Sequence, residues 1–331
     1  MRQLAIRIAA TGCALGVAVG LALGARGAHA QGYPAKPINL IVGTTAGGGY
    51  DLVARRLEKA MSKNLGQSIV VTNRPGAGSL VGTMAVLQAP PDGYTLAMGG
   101  LANMVFNAAL YKKLPYDPLT DFTPIGIAAE SPYVMVTRKD LGLNDVASIV
   151  KYAKANPGKL NLANIGAGTG QQVLAAAFLK EAGVSMTNVP YQGAQPVYID
   201  LLGGRVDIYI DSLPSARRFI ESKQVNAMFV TGPKRDSTLN TIPTAREVSF
   251  PALEMTTWFG LFAPSKTPPE AIARLNKAME AALSDEDMRK ELSAGGFDPK
   301  PWVPPAETAR FVKAEYTKWT KVIKDAGITL D

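Results

Sequence analysis

The sequence predicts an α/β protein of two doubly wound, Rossmann-like lobes joined by a hinge that the chain crosses twice. Three observations carry that expectation. Short apolar strands alternate with amphipathic helices through two separate stretches. Each stretch contains a glycine-rich strand-to-helix turn, GTTAGGGYD (43–51) in the first and IGAGTG (165–170) in the second. A late strand, MTTWFGLFAP (255–264), then returns the chain to the first stretch ahead of three closing helices. With 331 residues and 47% hydrophobic content, there is apolar material for two cores.

The first thirty residues read as a secretory signal peptide. Arg2 and Arg7 precede an apolar run from Ile8 to Leu23, and Ala28-His29-Ala30 is a small-residue cleavage site ahead of Gln31. An uncleaved anchor is the alternative, which the short run and its small-residue end disfavour. Cys13 lacks the aliphatic residue expected three positions before a lipid-attachment cysteine. Cleavage removes the only Cys and the only His. The expected mature chain therefore has no Cys or His nucleophile, no His-ligated metal, no disulfide and no cofactor site, which leaves carboxylate, Lys, Tyr or Ser chemistry for any enzyme. Cleavage also takes three arginines and no acid, lowering the formal charge from +8 to +5. That excess is spread along the chain, without the basic and aromatic clusters of a nucleic-acid binder.

From Tyr33 to Ala129 the pattern is strand 38–42, a helix starting near Asp51 and stopping at Gly66, strand 68–72, the loop NRPGAG (73–78), a helix from Ser79 to Ala89, and strand 94–98 ending in Gly99-Gly100. Residues 121–140 read as two successive strands with no helix between them, the place to cross into a second lobe. There, a helix stopped by Pro157-Gly158 leads to strand LNLAN and the second glycine-rich turn with its helix. NVPYQGA (188–194), a helix over 195–202, strand VDIYID (206–211), a helix over 214–222 and strand VNAMFVTG follow. These boundaries give a first lobe of residues 31–129 plus 255–331 and a second of 130–254. Trp258 and Phe259 are expected at the seam, and Trp302 and Trp319 in packing.

Three readings of the first loop stay open. It lacks the Lys-Ser/Thr of a P-loop, and the second strand ends without the acid that would bind a ribose, which counts against nucleotides. The glycines could serve only a tight turn. A carboxylate site is the more economical reading, with Thr44, Thr45, Ala46, Gly47 and Gly48 supplying backbone donors and Asp51 capping the helix. Asn164, Gly166, Gly168 and Thr169 repeat the design in the second lobe, Thr169 either capping its helix or donating to the ligand. Asp211 ends a buried strand, where it binds an ammonium or hydroxyl group or only braces loops. Asn103, Tyr191 and Gln192 are polar groups at the same level, and Gly76 lies in the loop that follows the second strand. An exported enzyme using Asp51 or Asp211 as a general base is the rival from a different class.

The runs YPAKPINLIVGTTAGGGYD, LGQSIVVTNRPGAG, PPDGYTLAMG, LYKKLPYDPLTDFTPIG, VPYQGA, DLLGGRVDIYIDSLPSA and TTWFGLFAPSKTPPEAIARLN resemble the Bug family, the periplasmic substrate-binding proteins of tripartite tricarboxylate transporters. The resemblance spans Tyr33 to Asp331. It implies a monomeric, periplasmic Venus-flytrap protein without catalytic activity that captures a small carboxylate and presents it to membrane permease subunits, or to a sensor kinase. It places the family's binding loops on Gly43–Asp51, Asn73–Gly78 and Asn164–Thr169, and its strand-end acid on Asp211. Two departures stand out. The family's Pro-Phe-x-Pro-Gly-Gly is Gly43-Thr44-Thr45-Ala46-Gly47-Gly48 here, and a histidine common after the second loop is Gln172.

Overall fold

The computed structural model describes residues 32–166 and 168–325; the signal-peptide reading lies outside them. The strands are β1 (Ile38–Val42), β2 (Ile69–Asn73), β3 (Thr95–Gly100), β4 (Phe122–Arg138), β5 (Asn161–Asn164), β6 (Thr187–Pro190), β7 (Ile208–Ser212), β8 (Val225–Val230), β9 (Thr256–Pro264) and β10 (Asp298–Pro299). The helices are α1 (Gly49–Leu65), α2 (Leu80–Leu87), α3 (Asn107–Leu110), α4 (Val146–Ala155), α5 (Gly170–Ala182), α6 (Ala194–Leu202), α7 (Leu213–Glu221), α8 (Pro269–Ser284), α9 (Glu286–Ala294) and α10 (Pro305–Asp325). A π-helical turn, Ala102–Phe106, leads into α3, and a 3₁₀ turn, Pro251–Leu253, precedes β9.

The strands hydrogen-bond in the order β2-β1-β3-β9-β4-β7-β5-β6, with β8 and β10 also pairing with β4. β1, β2 and β3 run parallel, as do β7, β5 and β6; β9 and β4 are antiparallel to their neighbours. β1 is buried at every position but Asn39, whose side-chain oxygen accepts a bond from the Thr72 hydroxyl at 2.7 Å. The polar residue in an apolar strand is thus paired across the ladder rather than stranded.

The expected pair of strands over 121–140 is one continuous strand, and this corrects the sequence reading. Ser131-Pro132 looks like a break because proline donates no ladder bond. In the fold, Phe122–Pro132 pairs with β9, whereas Tyr133–Arg138 pairs with β7 and β8, so the missing donor falls where the strand changes partners. β4 thereby joins two strand sets, β1, β2, β3 and β9 on one side and β5, β6, β7 and β8 on the other.

The closing helices pack onto the first set. α8 brings Met279 against Gly126 of β4, and α10 sets Trp319 edge-on to Phe106 with centroids 5.9 Å apart. Trp258 is 1% exposed and packs on Phe262 and Phe311. Around β7 the core is built by Tyr198 stacked on Phe219 at 3.8 Å and meeting Tyr209 edge-on. The α4 start is a capping box: Asp145 accepts from the Ser148 N–H at 2.7 Å and the Ser148 hydroxyl accepts from the Asp145 N–H.

Candidate functional site

Both strand sets end their parallel strands in loops that open into a single cavity of about 310 Å³. Five helix N-termini reach its wall, through Gly49 and Tyr50 of α1, Ser79 before α2, Gly170 and Gln171 of α5, Gly193-Ala194 at α6, and Ser212 and Ser215 at α7. First-turn N–H groups have no acceptor within their own helix; at α2 those of Leu80 and Val81 bond the Ala77 and Gly76 carbonyls, and at α5 that of Gln172 bonds Thr169, while the positive dipole end of each terminus faces the cavity.

The first loop is built by three glycines with three different jobs. Gly47 takes a left-handed φ of 81°, Gly48 is the extended N-cap, and Gly49 starts the helix against Phe259, which a Cβ would meet at 3.0 Å. Asp51 is therefore not the N-cap. It is the third residue of α1, facing back into the loop, where it accepts the Gly47 N–H at 2.9 Å, Arg55 Nε at 3.0 Å and Asn73 Nδ2 at 3.0 Å. Burial pushes this carboxyl up, but Arg55, the Gly47 N–H and Asn73 together outweigh that and hold it below the usual range. Asn73 also donates to the Thr44 carbonyl at 3.0 Å, tying β2 to the loop. Replacing Asn73 with Ala is expected to cost about 1–2 kcal/mol and to weaken ligand binding through a looser loop, read by denaturant unfolding and calorimetry. Thr44 lines the cavity, and its hydroxyl is buried without a hydrogen-bond partner.

The loop before α2 is strained. Gly76, Ala77, Gly78 and Ser79 all have positive φ, and Ala77 and Ser79 hold it without being glycine. Gly43 permits the crossing, since a Cβ there would lie 2.5 Å from that of Ser79.

In the second loop Asn164 Oδ1 accepts the Gly166 N–H at 3.1 Å, Thr169 caps α5 by accepting the Gln172 N–H at 3.2 Å, and Gln172 Oε1 accepts the Gly168 N–H at 2.8 Å. Gln172 thus serves the loop's backbone. Tyr191 donates its hydroxyl to Asp200 at 2.7 Å. Asp211 is 1% exposed and accepts from Tyr198 at 3.0 Å, Tyr209 at 3.2 Å and the Ser212 N–H at 2.8 Å. Burial raises its carboxyl to about 6, against the pull of those donors.

Of the residues singled out in the sequence, Thr44, Thr45, Gly48 and Gly76 line the cavity from one side, and Gly166, Thr169, Tyr191 and Asp211 from the other. Ala46, Gly47, Asp51, Asn103, Asn164 and Gly168 do not reach the wall. Asp51, Asn164 and Gly168 brace their loops, and Asn103 is buried holding the Gly100 N–H at 3.0 Å and the Thr83 hydroxyl at 3.2 Å. The wall also includes Tyr50 of the first loop and Phe259, which the sequence places at the seam, together with Tyr133, Gly193 and Thr257, which the sequence reading passed over. Tyr50 and Phe259 meet edge-on at 5.0 Å. Thr257 and Phe259 lie two apart on β9, a one-face spacing that could have flagged them.

Residues 53–328 match the family model described as the tripartite tricarboxylate transporter family receptor. The chain belongs to this receptor family. It is 36% identical over 299 residues to a protein of the tcbD-tcbE intergenic region in Pseudomonas sp. (strain P51), covering 90% of this chain and 88% of that one. Protein BugT of Bordetella pertussis is 32% identical over 302 residues, with 91% and 92% covered. Among solved structures, an R. palustris protein with adipate superposes with a TM-score of 0.85 at 34% identity, covering 90% of the receptor and 99% of that chain. MatC from Rhodopseudomonas palustris with bound malate gives 0.83 at 33% identity, covering 88% and 100%. The periplasmic binding protein BugD gives 0.85 at 33% identity, covering 90% and 99%. The Bug resemblance drawn from the sequence is thus shown, and with it the α/β periplasmic-binding-protein fold.

Proposed function

We propose that this receptor captures a small carboxylate in the cavity between its two strand sets and hands it to the membrane permease of a tripartite tricarboxylate-type transporter. The observation that carries the reading is the convergence of five helix N-termini on a cavity whose wall has no Lys, Arg or His among the described residues. An anion held there meets peptide dipoles instead of cationic side chains. The relatives solved with adipate and malate support the ligand class.

Capture proceeds by closure of two lobes, residues 31–129 plus 255–331 and residues 130–254, about the crossings at β4 and β9. Contacts across the cavity mouth support it: a Cβ on Gly193 would lie 2.5 Å from Thr45 Oγ1, and one on Gly47 would lie 3.5 Å from Gln195 Nε2. The chain acts as an exported monomer after cleavage between Ala30 and Gln31, without catalysis.

Thermal unfolding of ligand-free, refolded protein against a panel of mono- and dicarboxylates tests the reading. A true ligand at 100 times its Kd adds about 2.7 kcal/mol. If no carboxylate raises the melting temperature, the receptor reading fails.

A further inference from the structure

Where the two strand sets meet, the cavity wall carries three hydroxyls that the fold leaves unused. Tyr133 comes from β4 just after that strand changes partners, Thr257 comes from β9, and Tyr50 comes from the first turn of α1. Tyr133 is 4% exposed, and its hydroxyl makes no hydrogen bond among the described residues. That hydroxyl stands over Gly170, the first residue of α5 and itself part of the wall, where only the missing Cβ leaves the phenol its place. Tyr50 accepts the Ala102 N–H at 3.4 Å and keeps its own proton to donate. The Thr257 hydroxyl adjoins both phenols, is buried, and is in hydrogen-bond geometry with neither.

Buried hydroxyls without partners cost stability, and packing does not account for these, since a phenylalanine ring would fill the same space as either tyrosine. Bracing does not account for them either: the two glycine-rich loops are held by Asp51, Asn73, Asn164 and Gln172. Burial raises both phenols, Tyr50 to about 12 and Tyr133 beyond it, so they stay neutral. The acid groups of a ligand have the helix N-termini on either side. β4 and β9 run between those sides, so their hydroxyls meet the middle of the ligand, where an oxygen without charge suits a neutral cluster able both to donate and to accept.

We propose that Tyr133 is a specificity-determining residue, its hydroxyl bonding an uncharged oxygen, a hydroxyl or a carbonyl, that the ligand carries between its acid groups or beside one of them. Tyr50 and Thr257 back that contact. The receptor thereby prefers hydroxy- or oxo-acids to the plain acid of the same length. The inference rests on the carboxylate-receptor reading and names the ligand class within it. A plain acid still reaches the helix termini but leaves the hydroxyls buried and unpaired, which is how a site built for hydrogen bonding rejects an analogue that lacks the group.

Three length-matched sets of probes test this by calorimetry at pH 7.5: succinate against malate, glutarate against 3-hydroxyglutarate and 3-oxoglutarate, and adipate against 3-hydroxyadipate and 3-oxoadipate. In at least one set an oxygenated acid is expected to bind about tenfold more tightly than the plain one. Within that set the hydroxy and oxo members tell which oxygen is read. Tyr133→Phe is expected to bring the oxygenated acid down to the level of the plain one and to leave the plain one unchanged. Because the hydroxyl bonds nothing in the ligand-free protein, the urea midpoint of unliganded Tyr133→Phe is expected to match or exceed that of the wild type.

A plain acid that binds wild-type protein as tightly as its oxygenated partners overturns the proposal and leaves the receptor reading standing. A Tyr133→Phe variant that weakens both kinds equally overturns it too, because the phenol then serves an acid group, and so does one that keeps the preference while losing stability, because the phenol is then a brace. Binding of none of the eight acids overturns it as well, and the wider carboxylate panel then decides separately whether the receptor reading falls. If Tyr133→Phe does not fold, the wild-type comparison decides alone.

Discussion

Gly100→Ala is expected to destabilise the protein by about 3 kcal/mol and to abolish high-affinity ligand binding. Gly100 closes β3, where a Cβ would lie 2.3 Å from the Tyr50 hydroxyl and 2.4 Å from the Trp258 carbonyl. The carbonyl belongs to β9, whose ladder with β3 pairs Gly100 with Phe259, so it cannot retreat without opening the sheet. Tyr50 can move only into the cavity it walls or against Phe259. The strain thus reaches fold and site together. Gly48→Ala is the control: its φ is −80°, a Cβ there meets nothing closer than the Thr45 carbonyl at 3.5 Å, and the N-cap substitution costs about 0.5–1 kcal/mol. Urea unfolding of the two variants separates a space requirement from a preference. Equal losses would refute the packing argument.

The ligand-free protein is expected to lose about 3 kcal/mol of stability as the pH rises from about 4 to about 6.5. Asp211 has its folded-state carboxyl raised from 3.8 to about 6, chiefly by burial. Between those values the folded state binds more protons than the unfolded chain. Its contribution is complete below the lower value and is lost as the pH climbs through the upper one. The groups facing Asp211 from β4, α6 and β7 are the phenols of Tyr133, Tyr198 and Tyr209, all raised by burial and therefore neutral throughout. Asp51, Asp236 and Glu247 are shifted downward, so their stabilisation disappears only as the pH falls below the ordinary carboxylate range. Together these give a stability maximum at roughly pH 4–5. Asp211→Asn is expected to flatten the alkaline side of the curve. An unchanged slope in that variant would assign the effect elsewhere.

The order of strands and helices was legible because each element has its own hydrophobic period and its own stop, such as Gly66 after α1 and Gly183 after α5. The two glycine-rich turns and Asp211 were legible because strand ends of parallel α/β units gather on one edge. What escaped reading came from elsewhere. Tyr133 sits inside β4 and Thr257 inside β9, where register alone brings them to the wall of the cavity. Gly170 reads as an ordinary helix start until Tyr133 is seen beside it, its hydroxyl 2.0 Å from where a Cβ would stand. Asp51 had the right type and place for a cap, yet the glycine before the helix took that position and left the carboxylate to hold Gly47. Asn103 was polar near the site, but its bonds close on Gly100 and Thr83.

The helix termini around the cavity have a consequence for how such proteins diversify. A peptide N–H belongs to the chain whatever residue occupies the position, and only proline deletes it. Point mutations can resize the chamber or recolour its walls through Thr44, Tyr50 or Phe259 while leaving the anion donors in place. Capture and selectivity are therefore inherited separately: the first is a property of the backbone trace, and the second is free to drift with a handful of side chains. Descendants of one such ancestor could exchange one nutrient for another without passing through a form that binds nothing.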